Sequence, residues 1–205
     1  MSTRRSYDRV AARYASELSG ELAGKPLDRA LLDAVAELAD GPVLDVGCGP
    51  GHVGTYLADR VSVVGVDLSP QMCTHAAIPT CAGDMTALPF RSHSVSALVC
   101  LYAVIHLDAD QRALAYREFA RVLRPGGHAL VAFHVRDAET QAGQAKTLAE
   151  WWGNDVDLTF RFLDPDAETR ALAGAGLTVT ARLDRSPHPQ AEHPSERCYL
   201  LARMP

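Results

Sequence analysis

A short apolar run that contains a carboxylate and leads into a glycine cluster constrains this chain more than any other feature. The run reads VLDVGCGPG over residues 43–51, and a second apolar run over residues 61–66 ends at Asp67. This order predicts a strand, a glycine turn, a helix and a second strand followed by an acid. Because such an arrangement cradles nucleoside-containing cofactors, the segment predicts an α/β fold with a cofactor pocket.

Apolar runs alternate with helical patterns along the rest of the chain. The expected strands cover residues 43–46, 61–66, 78–82, 95–101, 128–134, 156–163, 177–183 and 197–202. The expected helices cover residues 6–19, 26–39, 51–59, 109–123, 138–151 and 165–174. Continuously apolar strands that alternate with helices are typical of a covered parallel sheet. We therefore expect a doubly wound, mostly parallel sheet of about seven strands, with an antiparallel edge pair and helices on both faces.

Two helices are expected before the first strand. The first places on one face Tyr7, Val10, Ala11 and Tyr14. The second has an apolar stripe made of Leu27, Leu31, Val35 and Leu38. The 205 residues suit a single domain. We expect residues 1–40 to form part of a lid, residues 41–134 the cofactor-binding core, and residues 135–205 a substrate-facing insert and the final strands.

Composition and charge argue against several classes of function. The net charge is −5 and no basic stripe is visible, so we expect no nucleic-acid partner. No apolar run approaches ~18 residues, so we expect no membrane association. The five cysteines form no C-x-x-C pair, which is typical of reduced cysteines in a cytoplasmic protein. His188 and His193 have no convergent carboxylate, so no metal is expected. Both a monomer and a dimer stay open.

The glycine spacing distinguishes between cofactors. Gly47, Gly49 and Gly51 are each two residues apart, whereas the dinucleotide fingerprint G-x-G-x-x-G would place its third glycine at His52. The G-K-[ST] sequence of a phosphate-binding loop is missing as well. Asp45 would repel a pyrophosphate and attract a cationic part of a ligand. The spacing therefore argues against nicotinamide binding.

Five segments, in order, resemble the motifs of one family. Leu44–Gly51 resembles motif I of the class I S-adenosylmethionine-dependent methyltransferases. Residues 63–72 and 81–90 are similar to the second and third motifs of this family. Residues 95–107 and 117–127 are similar to its fourth strand and to the helix and turn that follow, and residues 7–14 to the first helix of a common subgroup. The resemblance spans residues 7–134.

The resemblance implies a role for individual residues in binding S-adenosylmethionine. The glycines and Cys48 would meet the methionine part, and Asp45 its ammonium group. Asp67 would accept both ribose hydroxyls. The remaining contacts implied by the family come from Leu68 and Met72 on the adenine faces, Asp84 and Met85 at the adenine edge, the Leu101 carbonyl at the ammonium group, and Tyr14 at the methionine end.

Several residues are candidates for contact with the methyl acceptor. His106 follows the fourth strand, and a histidine there suits a general base; the alternative, which is slightly favoured, is a histidine that caps or packs against the cofactor without moving protons. The tentative substrate residues are Tyr102, His134, Trp152 and Arg161. Arg161 would hold an anionic group by a forked contact, and a solvated arginine is its alternative. Cys48 is expected to fill space rather than act as a nucleophile.

The predicted function is methyl transfer from S-adenosylmethionine to an oxygen, nitrogen or carbon nucleophile of a small molecule or peptide. S-adenosylhomocysteine would be the product, and no metal is needed. Two alternatives stay open at this point. The chain could be a nicotinamide-dependent oxidoreductase on a related fold, or a non-catalytic protein that binds the cofactor. The sequence does not indicate the acceptor.

Overall fold

The computed structural model describes residues 2–205 and contains one large sheet flanked by helices, together with a separate hairpin. Six α-helices are present in this part of the chain: α1 Thr3–Leu18, α2 Pro26–Leu38, α3 His52–Ala58, α4 Pro70–Cys73, α5 Ala109–Val122 and α6 Pro165–Gly174. Two short 3₁₀ helices lie at Glu21–Gly24 and Val104–His106. The capping of α4 follows the sequence, because the Ser69 hydroxyl accepts from the Met72 N–H and Pro70 starts the helix.

Seven of the nine strands form a single sheet in the order β3-β2-β1-β4-β5-β9-β8. The strands are β1 Val43–Val46, β2 Val63–Asp67, β3 Thr80–Ala82, β4 Val95–Leu101, β5 Leu123–Arg136, β6 Ala145–Trp151, β7 Asn154–Arg161, β8 Thr178–Arg185 and β9 Glu196–Arg203. The pairs from β3 to β5 are parallel, while β9 is antiparallel to both β5 and β8. The predicted doubly wound sheet with an antiparallel edge pair is therefore confirmed.

The central strands carry apolar side chains on both faces. Six of the seven residues of β4 are buried. Because successive side chains of a strand point to opposite faces, Leu98 joins the core layer that contains Phe119 of α5, and Val99 joins the layer that contains Leu32 of α2. This double burial explains the uninterrupted apolar runs in the sequence. It also fixes the carboxyl ends of β1, β2 and β4 along one edge.

Residues 138–151 were expected to be helical, and the structure corrects this. They form a turn and then β6, which pairs with β7 in an antiparallel hairpin. Their alanine, glutamate and lysine content favours a helix locally. However, β7 buries Val156 and Leu158 against Val10 and Ala11 of α1, and β6 satisfies the backbone groups of β7. This contact between distant segments overrides the local preference.

The buried face of α2 also differs from the expected stripe. Leu27 and Leu38 are 41% and 43% exposed, whereas Leu32 and Asp28 are buried. Asp28 is drawn inward because its carboxylate accepts a hydrogen bond from Arg185 at 2.8 Å. A polar partner from the far end of the chain therefore sets the rotation of this helix. Across residues 2–205, every helix is too short or too polar to cross a bilayer.

Close packing under the glycine loop predicts the effect of a small substitution. A Cβ added to Gly65 of β2 would lie 2.7 Å from Cys48 Sγ and 2.9 Å from Thr80 Cγ2. We expect Gly65→Ala to lower the free energy of unfolding by ~1–3 kcal/mol through overpacking. Chemical denaturation measures this change.

The matched control is Gly174→Ala at the end of α6. An added Cβ there would meet no atom within 4 Å. We expect this variant to be neutral or slightly stabilised, since alanine loses less conformational entropy than glycine on folding. A Gly65→Ala variant as stable as the control would contradict the packing described here.

Candidate active site

The loop after β1 brings its backbone to a cavity of about 250 Å³ at the carboxyl edge of the sheet. Gly47, Gly49 and Gly51 have φ angles of 70°, 53° and 80°. A Cβ on Gly47 would lie 2.3 Å from Cβ of Ala103, whereas a Cβ on Gly49 would meet no atom within 4 Å. Gly47 therefore permits tight packing behind the loop, and Gly49 leaves room for a ligand to approach the backbone.

Two carboxylates at the ends of β1 and β2 are held by backbone N–H groups. Asp45 is buried and accepts from the Gly54 N–H at 2.9 Å, and its burial raises the pKa of its carboxyl to about 7. Asp67 accepts from the N–H groups of Gly49 and Ser69, each at 2.8 Å and each on a different carboxylate oxygen. Burial also raises the pKa of Asp67. Each Asp67 oxygen keeps a lone pair for a further donor, such as one hydroxyl of a ribose.

Most of the residues predicted to bind the cofactor line this one cavity. They are Tyr14, Asp45, Gly47, Cys48, Gly49, Asp67, Leu68, Met72, Asp84, Met85 and Leu101. The cavity wall also includes Tyr102 and His106. Gly51 is not part of the wall. A Cβ there would lie 2.7 Å from Cβ of Ala76, so Gly51 serves the tight turn that starts α3.

The side chains of Asp84 and Cys48 have local roles in addition. Asp84 Oδ1 accepts from the Thr86 N–H at 2.8 Å and from its hydroxyl at 2.7 Å, which fixes the turn after β3. Cys48 is buried and packs over Gly65, and burial raises the pKa of its thiol. A protonated, packed thiol fits the expectation that Cys48 fills space.

His106 is paired with a tyrosine of α1. Its Nε2 lies 2.7 Å from the Tyr7 hydroxyl, and its Nδ1 lies 2.9 Å from the Thr159 carbonyl. Because a carbonyl only accepts, Nδ1 carries the proton and Nε2 accepts from Tyr7. Burial lowers the pKa of His106 to about 4, with a further lowering by the charge of Arg161. The imidazole is therefore neutral at pH 7. The sequence placed Tyr7 on the face of α1 that contains Tyr14 but did not indicate this pairing.

Two of the tentative substrate residues lie outside the cavity wall. The ring of His134 stacks on the ring of Tyr102 with 5.1 Å between the ring centroids, and His134 Nδ1 lies 2.7 Å from the Ser195 hydroxyl. Trp152 stacks on Trp151 at 4.5 Å in the hairpin turn. Both residues are thus engaged with neighbouring side chains. Contact between Trp152 and the methyl acceptor stays a prediction.

Arg161 also lies outside the wall of the cavity. Its Nη1 donates to the carbonyl of His106 at 2.9 Å. The guanidinium therefore supports the backbone of the histidine, and the structure does not place it as the holder of an anionic substrate group.

A buried ionic network behind Tyr102 was not expected from the sequence. The Tyr102 hydroxyl contacts both Asp28, at 3.3 Å, and the Tyr199 hydroxyl. Arg185 donates to Asp28 at 2.8 Å and to Glu192 at 2.5 Å. A carboxylate inside the apolar pattern of α2 was the only sequence signal of this network. Because the charges of this network are buried, each of them is stabilised by its oppositely charged partner.

Two further polar residues of the cavity wall, Glu21 and His52, were missed. His52 Nε2 lies 3.3 Å from Glu21, which also contacts Lys25 Nζ at 2.9 Å. Burial of Glu21 would raise its pKa, but the hydrogen bonds from His52 and Lys25 lower it overall. Glu21, in the 3₁₀ helix before α2, is therefore ionised at neutral pH.

Taken together, the sheet, the glycine loop and the row of carboxylates define a doubly wound α/β protein with a cavity lined by glycine backbone and carboxylates at the carboxyl edge of its sheet. Comparison with known families makes this assignment specific. Residues 43–127 match the model of a methyltransferase domain. Over this segment the chain is therefore similar to methyltransferase domains.

Two curated relatives illustrate the range of proteins to which the chain is similar. The chain is 40% identical over 144 residues to a ubiquinone/menaquinone biosynthesis C-methyltransferase of Syntrophotalea carbinolica, covering 63% of this chain and 60% of the relative. It is 29% identical over 155 residues to phosphoethanolamine N-methyltransferase 1 of Arabidopsis thaliana, covering 70% of this chain and 30% of the relative. The chain thus spans less than two thirds of the length of either relative.

A solved structure supports the fold. A 1,6-didemethyltoxoflavin-N1-methyltransferase of Burkholderia thailandensis, with S-adenosylhomocysteine bound, superposes with a TM-score of 0.69. The identity is 19%, and the match covers 100% of this chain and 91% of the other. At this identity the likeness concerns the fold.

The raised pKa of Asp45 predicts a pH-dependent cost to stability. An unfolded aspartate titrates near ~4, so the folded protein holds a proton between about pH 4 and pH 7 that the unfolded chain releases. Stability from this group therefore falls as the pH rises through this window. We expect Asp45→Asn, which keeps an oxygen for the Gly54 N–H, to raise the Tm of the ligand-free protein at pH 8 by several degrees.

Thermal unfolding at pH 8 and pH 5 tests this expectation. At pH 5 the difference between Asp45→Asn and the parent should be clearly smaller than at pH 8, because Asp45 is then protonated in the folded protein and only the part of the window between about pH 4 and pH 5 still contributes. Asp59→Asn, at an exposed position after α3, serves as the control and should change neither value. A Tm at pH 8 that is lower for Asp45→Asn than for the parent would show that burial of the Asp45 carboxylate does not destabilise the fold.

Proposed function

We propose that the protein binds S-adenosylmethionine in this cavity and transfers its methyl group to an acceptor. The observation that carries the proposal is a row of three acids at one glycine-lined cavity. Asp45 lies near the end of β1, Asp67 is the last residue of β2, and Asp84 follows β3. Asp45 would attract the ammonium group, Asp67 would accept the ribose hydroxyls and Asp84 would accept from the adenine amino group. Open space at Gly49 fits close approach of the methionine part.

The bound ligand supplies a methyl group on a positively charged sulfur, which leaves as a neutral thioether. The protein has to hold the acceptor in line with this methyl group and exclude water. Such orientation supplies a large part of the barrier reduction, up to ~7–11 kcal/mol in favourable cases. Tyr14 lines the cavity and its ring packs on Trp151 of the stacked tryptophan pair, with centroids 5.7 Å apart, which supports this enclosure.

The Tyr7–His106 pair can receive the proton that the acceptor loses on methylation. As the acceptor atom bonds to the methyl carbon, its proton passes to the Tyr7 oxygen, and the Tyr7 proton passes to His106 Nε2. The sulfur keeps the electron pair of the broken bond. A histidine of low pKa is a weak base, so it takes this proton only once the acceptor atom has become strongly acidic through bond formation. His106 therefore acts through Tyr7, and the expected role of a general base that titrates near neutral pH does not fit its lowered pKa.

The nature of the accepting atom is left open by the relatives, since one is a C-methyltransferase and another an N-methyltransferase. Oxygen, nitrogen and carbon therefore all stay candidates, in a small molecule or a peptide. A protein that binds the ligand without turnover is the alternative that the assay below excludes. A cytoplasmic location, and the expected lack of nucleic-acid, membrane and metal partners, stay predictions.

Calorimetric titration with S-adenosylmethionine tests the first step. We expect saturable binding that Asp67→Asn weakens by roughly 10- to 100-fold, since hydrogen bonds to a charged group contribute ~1.5–3 kcal/mol. Asp59→Asn, at its exposed site, should bind like the parent. Turnover is then followed as release of S-adenosylhomocysteine with a panel of acceptors. Tight binding of NADH together with no detectable binding of S-adenosylmethionine would contradict the proposal.

Substitution of Tyr7 tests the proton relay. For a hydroxyl acceptor, we expect Tyr7→Phe to lower kcat by 10- to 100-fold while the affinity for S-adenosylmethionine stays within a few-fold. Because the pKa of His106 is about 4, the parent rate should show no inflection near pH 6.5. An unchanged kcat in Tyr7→Phe, or a clear inflection near pH 6.5, would rule out this relay.

A further inference from the structure

Carboxylates surround the space that an acceptor has to enter. In addition to the three acids assigned to the cofactor, the cavity wall includes Glu21 and Asp28. Glu21 is ionised, as its lowered pKa indicates. These two carboxylates are matched by Lys25 and Arg185, so neither pair leaves a positive charge free for an anionic acceptor. The wall therefore favours an acceptor without an anionic group at its reacting end.

The cations closest to these acids already have partners. Lys25 Nζ lies 2.9 Å from Glu21 Oε2 and is itself buried. Arg185 donates to Asp28 at 2.8 Å and to Glu192 at 2.5 Å. An incoming carboxylate or phosphate would have to take one of these cations from its partner. The carboxylate left behind would then be buried without a counter-charge, at a large cost in affinity.

Arg161, a cation that contacts the backbone of His106, is bound by a carbonyl and not by an acid. Arg161 Nη1 donates to the His106 carbonyl at 2.9 Å, behind the imidazole whose Nε2 accepts from Tyr7. Recruiting Arg161 to an anionic acceptor would remove the support of the Tyr7–His106 pair. The pair itself serves only an acceptor that arrives with a proton, because a carboxylate has none to give.

Resting on the proposed function, we propose that the methyl acceptor is a hydroxyl or amine that carries a proton and has no carboxylate or phosphate group beside it. The acids of the wall and the Tyr7–His106 pair act together in this selection. The wall disfavours anions, and the pair receives the proton that leaves as the new bond to carbon forms.

Matched acceptor pairs test this selection. Binding of S-adenosylmethionine is first confirmed by calorimetry, and failure at this step concerns the proposed function alone. Release of S-adenosylhomocysteine is then measured with benzyl alcohol against benzoate, 4-ethylphenol against 4-hydroxyphenylacetate, and ethanolamine against phosphoethanolamine. We expect at least a tenfold higher kcat/KM for the member without the anionic group. An anionic member that is methylated equally well or better overturns the proposal.

Anion binding decides the case in which no compound of the panel is methylated. Protein loaded with S-adenosylhomocysteine is titrated with inorganic phosphate and with benzoate. The proposal expects no saturable binding below ~10 mM. Saturable binding at lower concentrations overturns it, and its loss in Arg161→Met would identify Arg161 as the receptor of the anion.

Discussion

Two carboxylates held by backbone N–H groups are the constraint on which the rest of the site depends. Asp45 and Asp67 end neighbouring parallel strands, and their hydrogen bonds reach Gly54 of α3, Gly49 of the loop and Ser69 before α4. These bonds tie the glycine loop and two helix starts to the sheet edge. Backbone donors fix the position of a carboxylate but leave its charge uncompensated, so burial raises the pKa of both acids. A ligand that brings a positive charge completes the site.

Local sequence patterns predicted the parts of the fold that local chemistry decides. The strand Val95–Leu101 agrees with the structure because an uninterrupted apolar run acts over a few positions. The glycine loop and its acids line one cavity, as their positions at the ends of apolar runs predicted. The match of a methyltransferase-domain model to residues 43–127 agrees with this interpretation.

Contacts between distant segments account for what the sequence did not show. The β6–β7 hairpin exists because β7 packs on α1, and the inward turn of Asp28 depends on Arg185 of β8. Tyr7 of α1 and His106 are 99 residues apart in the sequence but share a hydrogen bond. The carbonyl of Thr159, in the hairpin, sets the tautomer of His106. Neither periodicity nor spacing encodes such pairings. Consequently, the cavity at the glycine loop was predictable from the sequence, while the Tyr7–His106 pair and the charged network behind Tyr102 became visible only in three dimensions.

The central claim is that a cationic ligand completes an uncompensated carboxylate at Asp45, and proton linkage measures this most directly. Calorimetric titration with S-adenosylmethionine at pH 6.5, in two buffers of different ionisation enthalpy, gives the number of protons exchanged. At this pH the amino group of the ligand is already largely protonated. The account predicts release of on the order of half a proton per ligand, lost in Asp45→Asn, because binding lowers the raised pKa of Asp45. No proton release by the parent, or equal release by Asp45→Asn, would contradict it.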